Sequence, residues 1–356
     1  MDYKMVKLGT VISQAKNIRC GEHNYPVLSM TMHDGLIFQD DKFKKVIASA
    51  NRSEYKVVYR NQLVVSFPID EGVLAAQRIT DVGIVSPAYT IWDIDQAKIL
   101  PEFLEYALRC DRSINYYKAK LRGSTARRRS LPTPTLLEHT IPLPTIDAQR
   151  YILEIIHKSR NVLETRKIQL QKLDMLVRAR FVEMFGDPII NSKQLETKAL
   201  RAVLILKAGD FTAASDISDE QTSSKPYPCY GGNGIRGYVA QYNQEGEYSI
   251  VGRQGALSGN VQFARGKFKN TEHALLVTPI IEMNNIWLNQ LLVNLDLKRY
   301  QTGAAQPGLS VKNLQEIPII MVPIEKQNRF ADFVQAIDKS KLRYQLHTHT
   351  CQPNTS

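Results

Sequence analysis

The chain has 356 residues, of which 43% are hydrophobic and 8% aromatic, and its formal net charge is +11. This length predicts two or three domains with their own cores, and no segment approaches the roughly 18 to 20 apolar residues of a membrane span. The excess positive charge favours a polyanionic partner, although a basic protein without a nucleic-acid role is the alternative.

The first residues and the cysteines indicate a cytoplasmic protein without metal or disulfides. Residues 1–10 contain no apolar core segment and no small-residue cleavage site, so we expect no secretory signal. The cysteines lie far apart in the sequence, without a C-x-x-C pair or a nearby histidine cluster. This spacing predicts free thiols rather than a zinc site or a disulfide framework at Cys20, Cys110, Cys229 and Cys351.

A first globular domain is predicted over residues 1–143. Short runs with strand composition, separated by Gly, Pro, Asn and Asp, lie at residues 25–30, 55–59, 62–67 and 82–89. Between Pro101 and Leu121 the apolar residues change to helical spacing. A mixed α/β domain fits both patterns.

The most cationic loop of the chain follows this domain. Residues 122–130 contain Arg127, Arg128 and Arg129 in succession, preceded by small residues. Small residues let a backbone approach a phosphate closely, and arginine donates to phosphate or guanine through two nitrogens. A solvated basic loop is the alternative interpretation.

A long helix is predicted from Asp147 to Phe185, because this segment has no Gly or Pro and lies between Pro144 and Gly186. An unbroken spacing of seven residues, typical of a coiled-coil seam, joins Ile156, Leu163, Leu170, Val177 and Met184. A helix of this length extends for nearly 60 Å at about 1.5 Å per residue, which is typical of a spacer or an assembly surface.

A second domain is predicted over residues 188–322. Its glycine-rich segments at 230–235 and 252–255 lack the Lys-Ser or Lys-Thr of a P-loop and precede no obvious helix. Tight hairpin turns account for these glycines better than a nucleotide site does.

The second half of the chain repeats the first. Residues 103–108 correspond to 287–292, 123–125 to 303–305 and 141–144 to 317–320, at offsets of 184, 180 and 176 residues. The segments starting at Ile146 and Ile324 each open a helix. Two copies of one domain-plus-helix unit predict a pseudo-two-fold molecule whose helices pack antiparallel.

With this repeat, the chain resembles the specificity subunit of type I restriction–modification systems over about residues 1–344. The matching segments are 141–149, 181–188, 230–235, 252–255 and 323–330. The resemblance implies an α+β fold with two target-recognition domains in tandem, separated by long helices that pair as an antiparallel coiled coil. The implied boundaries are 1–143 and 188–322 for the recognition domains, 144–187 and 323–345 for the helical spacers, and 346–356 for a disordered tail.

By this resemblance, each recognition domain reads one half of a bipartite double-stranded DNA site, and the helices set the gap. In the first domain we expect DNA contacts from Arg122, Ser124, Thr125, Arg127, Arg128 and Arg129. In the second we expect them from Arg236, Arg253, Gln254, Lys267, Lys269 and Gln306. We expect the helices to pair through Ile156, Leu163, Leu170, Val177, Met184, Phe330, Phe333 and Ile337.

The chain itself is not expected to be an enzyme or to hold a cofactor. Asp187-Pro188 is followed by Ile189 and does not form the Asp-Pro-Pro-Tyr segment of an adenine methyltransferase. The histidines, including His139, His157 and His273, have no recurring spacing to acids, so we interpret them as structural or solvated. The resemblance assigns chemistry to partners: modification subunits that bind S-adenosylmethionine, and a restriction subunit driven by ATP and magnesium.

The second helical spacer departs from the family pattern because it is much shorter than the first. This predicts altered assembly with one modification subunit, or self-association through the exposed seam of the first helix. Two other functions stay open: the recognition subunit of a system whose partner both methylates and cuts, and a basic coiled-coil scaffold.

Overall fold

The computed structural model describes residues 3–32, 34–42, 52–121, 131–255, 257–303 and 308–349. The chain divides into two compact units, unit 1 (Met1–Val162) and unit 2 (Leu163–Ser356). Both combine strands and helices, so the predicted mixed α/β class is confirmed. Among the described residues, no helix has the length and apolar content that crossing a bilayer requires.

Unit 1 contains a four-stranded antiparallel sheet and three strand pairs. Its strands are β1 (Lys4–Lys7), β2 (Ile12–Gln14), β3 (Leu28–Thr31), β4 (Gly35–Phe38), β5 (Lys56–Tyr59), β6 (Leu63–Val65), β7 (Leu74–Ala76), β8 (Val82–Val85), β9 (Thr90–Ile94) and β10 (Thr140–Leu143). The sheet has the order β2-β9-β6-β7, and the antiparallel pairs are β1-β10, β3-β4 and β5-β8.

The short helices of unit 1 are α1 (Gln39–Lys42), α2 (Pro101–Arg109), α3 (Asp111–Lys120) and α4 (Thr133–Glu138). Helix α2 packs one apolar face against the four-stranded sheet. Proline at the first position of α2 costs no hydrogen bond, because that amide has no partner within the helix. The side chains of Phe103, Leu104 and Leu108 recur at helical spacing and are buried against Trp92.

Helix α5 (Ile146–Phe185) matches the long helix predicted from residue 147 to residue 185. Its first part belongs to unit 1 and its last part to unit 2. The heptad residues do not share one environment, since Val177 is 3% exposed whereas Leu163 is 55% exposed. Burial of a heptad position depends on what packs over it, which the spacing alone does not determine.

Unit 2 is built on a six-stranded sheet. Its strands are β11 (Thr197–Ala199), β12 (Leu204–Ala208), β13 (Tyr227–Gly231), β14 (Gly234–Val239), β15 (Gln244–Gly252), β16 (Val261–Asn270), β17 (Ala274–Pro279) and β18 (Pro318–Ile320). The sheet has the order β12-β17-β15-β16-β13-β14, with β13 and β16 parallel and the other neighbours antiparallel. Strands β11 and β18 form a separate antiparallel pair.

The helices of unit 2 are α6 (Leu200–Val203), α7 (Asn285–Asn294), α8 (Val311–Leu314) and α9 (Ile324–His349). The side chain of Asn284 caps α7 by accepting hydrogen bonds from the amides of Ile286 and Trp287. Helix α9 passes the end predicted at residue 345, because an established helix gains one hydrogen bond for each residue added. The rest of the predicted tail, residues 350–356, lies outside the described residues.

Within unit 2, the end of α5 contacts α9. The ring of Phe330 lies 5.4 Å from that of Phe181 and 5.6 Å from that of Phe185, between centroids. The ammonium of Lys341 lies 2.6 Å from a carboxylate oxygen of Asp174. Later residues of α5 therefore meet earlier residues of α9, so these two segments run in opposite directions.

One arrangement occurs at the start of both long helices. The strand pair β1-β10 leads into α5, and the pair β11-β18 leads into α9. The side chain of Gln149 is fully buried; its Oε1 accepts from the amide of Leu100 at 2.8 Å, and its Nε2 donates to the carbonyls of Lys98 and Pro144.

Gln327 occupies the equivalent position in unit 2. Its Oε1 accepts from the amide of Asn284 at 2.9 Å, and its Nε2 donates to the carbonyl of Val322 at 2.7 Å. Each glutamine therefore ties the start of its long helix to the residue just before a shorter helix, α2 in unit 1 and α7 in unit 2.

Candidate nucleic-acid interface

Several loops of unit 2 meet beyond the end of β15. We define the loop cluster as residues 231–234, 252–255, 257–260, 272–273, 297–303 and 308–309. The amide of Gly252 donates to the carbonyl of Asn260 at 2.8 Å, and the amide of Arg253 donates to the carbonyl of His273 at 3.0 Å. Main-chain hydrogen bonds thus hold two connections, the one between β15 and β16 and the one between β16 and β17, in one surface.

The glycines of the cluster permit close backbone contact. A Cβ atom added to Gly252 would lie 2.2 Å from the carbonyl oxygen of Gly232, a distance that no side chain tolerates. Gly231 pairs with Gly234 across the β13–β14 hairpin, so Gly232 and Asn233 form its turn. The turn at Gly232-Asn233 agrees with the predicted tight hairpin turn. Segment 252–255 instead starts the longer connection between β15 and β16, so the prediction of a tight turn there is wrong, and Gly252 is needed for its close contact with Gly232.

The C-terminal segments of the cluster, residues 297–303 and 308–309, contact its other loops. Gly259 has a φ of +82°, and a Cβ there would lie 2.7 Å from the amide nitrogen of Lys298. The side chain of Gln301 donates to the carbonyl of Ser258 at 2.6 Å, and the amide of Leu309 donates to the carbonyl of Arg253 at 2.8 Å.

Four cationic side chains belong to the cluster or border it. Arg236 lies across Gly231, where an added Cβ would be 2.4 Å from the arginine Cδ. Arg236, Lys298 and Arg299 are exposed and Arg253 is half-buried. Within the described part of the chain, none of the four forms an ion pair, so their charges are available to an anionic ligand.

Polar side chains with fixed orientation lie beside these charges. Gln254 is exposed, and its Oε1 lies 2.9 Å from Nδ1 of His273. The Nε2 of the same imidazole lies 3.1 Å from Oε1 of Glu272. The side-chain amide of Asn260 donates to Oδ1 of Asn233 at 2.9 Å.

Lys267 and Lys269, which we expected among the DNA contacts, have partners elsewhere on the sheet. The ammonium of Lys269 lies 3.3 Å from the carboxylate of Asp210, and hydrogen bonds from Asn243 and Lys269 lower the pKa of Asp210. The ammonium of Lys267 lies over the ring of Tyr242, whose hydroxyl raises the pKa of Lys267 by hydrogen bonding. Among the described residues, neither ammonium group forms an ion pair or hydrogen bond with a residue of the loop cluster.

The remaining predicted contact residues lie outside the described residues. These are Arg122, Ser124, Thr125, Arg127, Arg128, Arg129 and Gln306.

The predicted helix-pairing residues are divided between different environments. In unit 2, Val177 and Phe330 are buried in the core, and Met184, Phe333 and Ile337 pack against it. Leu163 is exposed, and Ile156 and Leu170 are half-buried.

The sequence reasoning missed Lys298, Arg299 and Asn260 as members of the surface. The adjacent basic residues Lys298 and Arg299 are a local sequence feature from which a cationic contribution to the surface could have been predicted. His273 was interpreted as structural or solvated, and its contact with Gln254 depends on how β15 and β17 pair, which no local signal indicates. Among the described residues, no group of acids, histidines and cysteines is arranged to hold a metal ion.

The other two histidines form structural contacts in unit 1. His139 is buried, with Nε2 at 2.8 Å from the hydroxyl of Ser113, and burial lowers its pKa to about 4. His157 lies 2.9 Å from Glu102. Cys20, Cys110 and Cys229 are free thiols, and Cys351 lies outside the described residues.

The comparisons with known proteins converge on one family. The Type I restriction modification DNA specificity domain matches residues 194–347. The chain is 37% identical over 166 residues to the EcoprrI type I restriction enzyme specificity subunit of Escherichia coli, covering 46% of this chain and 41% of that protein. A putative type I specificity subunit of Haemophilus influenzae is 27% identical over 156 residues, covering 43% of this chain and 40% of that protein. The chain thus aligns with less than half the length of these relatives.

Two solved structures share the fold over nearly the whole chain. The S subunit of a type I restriction-modification system from M. genitalium is 15% identical, with a TM-score of 0.55, covering 98% of this chain and 92% of that one. A chain from a structural study of complex assembly and conformational transition in the type I R-M system is 16% identical. Its TM-score is 0.60, and the match covers 98% of this chain and 93% of that one. The predicted resemblance to type I restriction–modification specificity subunits is therefore confirmed, and residues 194–347 match the DNA specificity domain of that family.

Proposed function

We propose that this chain recognises double-stranded DNA sequence within a type I restriction–modification complex. The observation that carries the proposal is the loop cluster, which presents exposed cationic and amide side chains inside the matched specificity domain. Arginine and lysine supply affinity by replacing counterions on phosphates. Arginine reads O6 and N7 of guanine, and glutamine reads base edges in the major groove, which supplies sequence choice.

We further propose that the two units read two halves of a bipartite site. The basic segment 122–130 follows the sheet of unit 1 in the sequence and is the proposed reader there. Helix α5, with 40 residues, is about 60 Å long, which suffices to hold two readers about one DNA turn, near 34 Å, apart. The opposite directions of α5 and α9 in unit 2 support a paired-helix spacer.

The tandem, pseudo-two-fold organisation rests on the repeated glutamine arrangement. Gln149 and Gln327 make equivalent hydrogen bonds at the start of each long helix. Such a repeat is expected if each half of the chain is one recognition domain followed by one helical spacer. The proposed boundaries are 1–143, 144–187 and 188–322, followed by a second helical spacer that starts at 323 and includes α9 (Ile324–His349).

We propose that the chemistry belongs to partner subunits that dock on the helices. These partners are the modification subunits, which bind S-adenosylmethionine, and the ATP-driven restriction subunit. Helix α5 exposes several large apolar side chains, which are typical of a surface that another protein covers. They include Tyr151, Ile155, Val162, Ile168, Met175 and Val182, each at least 42% exposed.

The proposal is tested by selecting bound fragments from a random-sequence duplex pool. The full chain is used with its modification subunits, and binding is measured at several salt concentrations. We expect a bipartite motif with a fixed gap. Tight binding without sequence preference, with a steep salt dependence, would contradict the proposal, because a basic surface alone accounts for that result.

A further inference from the structure

We infer that Glu272 and His273 position the side-chain amide of Gln254 and thereby determine which base edge unit 2 reads. This inference rests on the proposed DNA recognition and deepens it. Gln254 is the residue that would touch the base, and the other two act through it. The three side chains form one connected row, from Gln254 Oε1 to the imidazole at 2.9 Å and from the imidazole to Glu272 at 3.1 Å.

The main chain around this row is held independently of the side chains. The carbonyl of His273 accepts from the amide of Arg253, and the amide of Ala274 donates to the carbonyl of Thr271. Gln254 also forms a bridge with Gly308. The row can therefore change its side-chain hydrogen bonds without loss of the surface that carries it.

The proton positions follow from the types of atom. Because Gln254 Oε1 is only an acceptor, Nδ1 of His273 must carry the hydrogen between them. Nε2 of His273 faces a carboxylate oxygen, so a hydrogen bond there needs a second proton, shared between the imidazole and Glu272. A carboxylate at Nε2 favours the imidazole form that carries hydrogen on both nitrogens, and in that form Nδ1 donates to Gln254 while Nε2 donates to Glu272.

This arrangement leaves one end of the glutamine amide for a ligand. With Oε1 turned towards His273, both Nε2 hydrogens face away from the imidazole. Two donors match the two acceptors O6 and N7 of guanine, whereas cytosine offers the N4 amino donor in the major groove. We therefore expect Gln254 to favour guanine at one position of the half-site read by unit 2.

The charges around Gln254, His273 and Glu272 also favour a ligand that presents hydrogen-bond acceptors. The neighbouring Arg253 is cationic, and Glu272 supplies the carboxylate on the far side of the imidazole. A carboxylate oxygen of Glu272, Oε2, is buried without a hydrogen-bond partner among the described residues, which leaves the acid turned inward rather than towards a ligand. The outward face of the row therefore presents donors.

The experiment selects bound sequences from a random duplex pool with the full-length protein and four variants. Gln254→Ala and His273→Ala remove the reader and its positioning partner. His273→Asn restores an amide donor close to the position of Nδ1 and tests rescue. His23→Ala removes an exposed histidine of unit 1 and serves as the matched control. Thermal unfolding of each variant is measured in parallel.

We expect the wild-type chain to prefer guanine about tenfold at one position. Gln254→Ala and His273→Ala should reduce that preference to less than about threefold, with the other half-site unchanged. His273→Asn should stay within about twofold of wild type. A merely structural role for His273 would instead lower selectivity at several positions together and would not be rescued by asparagine.

Two outcomes would overturn the inference, and they differ in what they say about the proposed function. If the wild type selects a motif and His273→Ala selects the same motif with equal strength, the positioning role is wrong and DNA recognition stands. If the wild type selects no sequence at all, the proposed function fails and the inference fails with it.

Discussion

Units 1 and 2 agree where each chain segment enters a long helix and differ in the sheets that precede this entry. Gln149 and Gln327 are buried at equivalent places and make equivalent main-chain hydrogen bonds. Among the described residues, the largest sheet has four strands in unit 1 and six in unit 2. The two units thus share the hydrogen bonds at the entry into their long helices, whereas their sheets differ.

The largest effect is expected in the scaffold of unit 2. Phe330→Ala removes a fully buried ring that contacts Phe181 and Phe185, so we expect a loss of about 3–5 kcal/mol in the free energy of unfolding. Phe211→Ala is the matched control, because Phe211 is 78% exposed. Denaturant unfolding measures both variants, and equal losses would contradict the assigned core.

The two glutamines allow a direct comparison between the units. Gln149→Leu leaves one amide and two carbonyls without their partner, whereas Gln327→Leu leaves one amide and one carbonyl. We expect losses of about 3 and about 2 kcal/mol, respectively, because each buried unsatisfied group costs about 1 kcal/mol or more.

Gln171→Leu, on the exposed side of α5, is the control for the glutamine variants. Denaturant unfolding is again the measurement. Losses below about 0.5 kcal/mol in both glutamine variants would remove the basis for treating the two sites as equivalent structural supports.

A pH effect on the free energy of unfolding is expected in unit 1 from the buried His139. Burial lowers the pKa of His139 to about 4 from an ordinary value near 6.5, so the folded state holds fewer protons than the unfolded state between these values. Stability contributed by the neutral imidazole is therefore present above pH 6.5 and is lost as the pH falls towards 4.

We expect the loss from His139 to reach about 2–3 kcal/mol, measured as the difference in pH dependence between the wild type and His139→Gln. His23→Gln changes an exposed histidine and should leave the profile unaltered. Parallel profiles for the wild type and His139→Gln would show that the imidazole does not titrate as its burial requires.

The smallest expected effect is a difference in DNA affinity between variants of two basic residues of unit 2. Arg253→Ala should weaken DNA binding about tenfold and Lys269→Met less than about twofold, because Lys269 is already paired with Asp210. Equilibrium binding to the selected duplex at fixed salt measures both. An equal or greater loss for Lys269→Met would move the proposed interface away from the loop cluster.

Local features of the fold could be predicted from the sequence. The helix predicted from 147 to 185 agrees with α5, and the strand run 82–89 contains β8 (Val82–Val85). Both follow from patterns within a short window. The parallel pairing of β13 with β16 could not be predicted, because it depends on contacts between residues about forty positions apart.

The candidate site could be predicted only in part, because some of its contacts join residues that are far apart in the sequence. Arg253 and Gln254 were chosen from a glycine-rich segment, and the structure brings that segment into the loop cluster. Lys269 was chosen from its charge, and its pairing with Asp210, 59 residues away, was not visible locally. The role inferred for His273 depends on its position beside Gln254, 19 residues away.

DNA reading by the loop cluster is tested most directly by comparing the sequences selected by the wild-type chain and by the double variant Arg253→Ala/Gln254→Ala. We expect two half-sites at a fixed gap for the wild type. For the variant we expect loss of base preference in one half-site, with the other half-site and the gap retained. Loss of preference in both half-sites, or in neither, would contradict the assignment of one half-site to the loop cluster of unit 2.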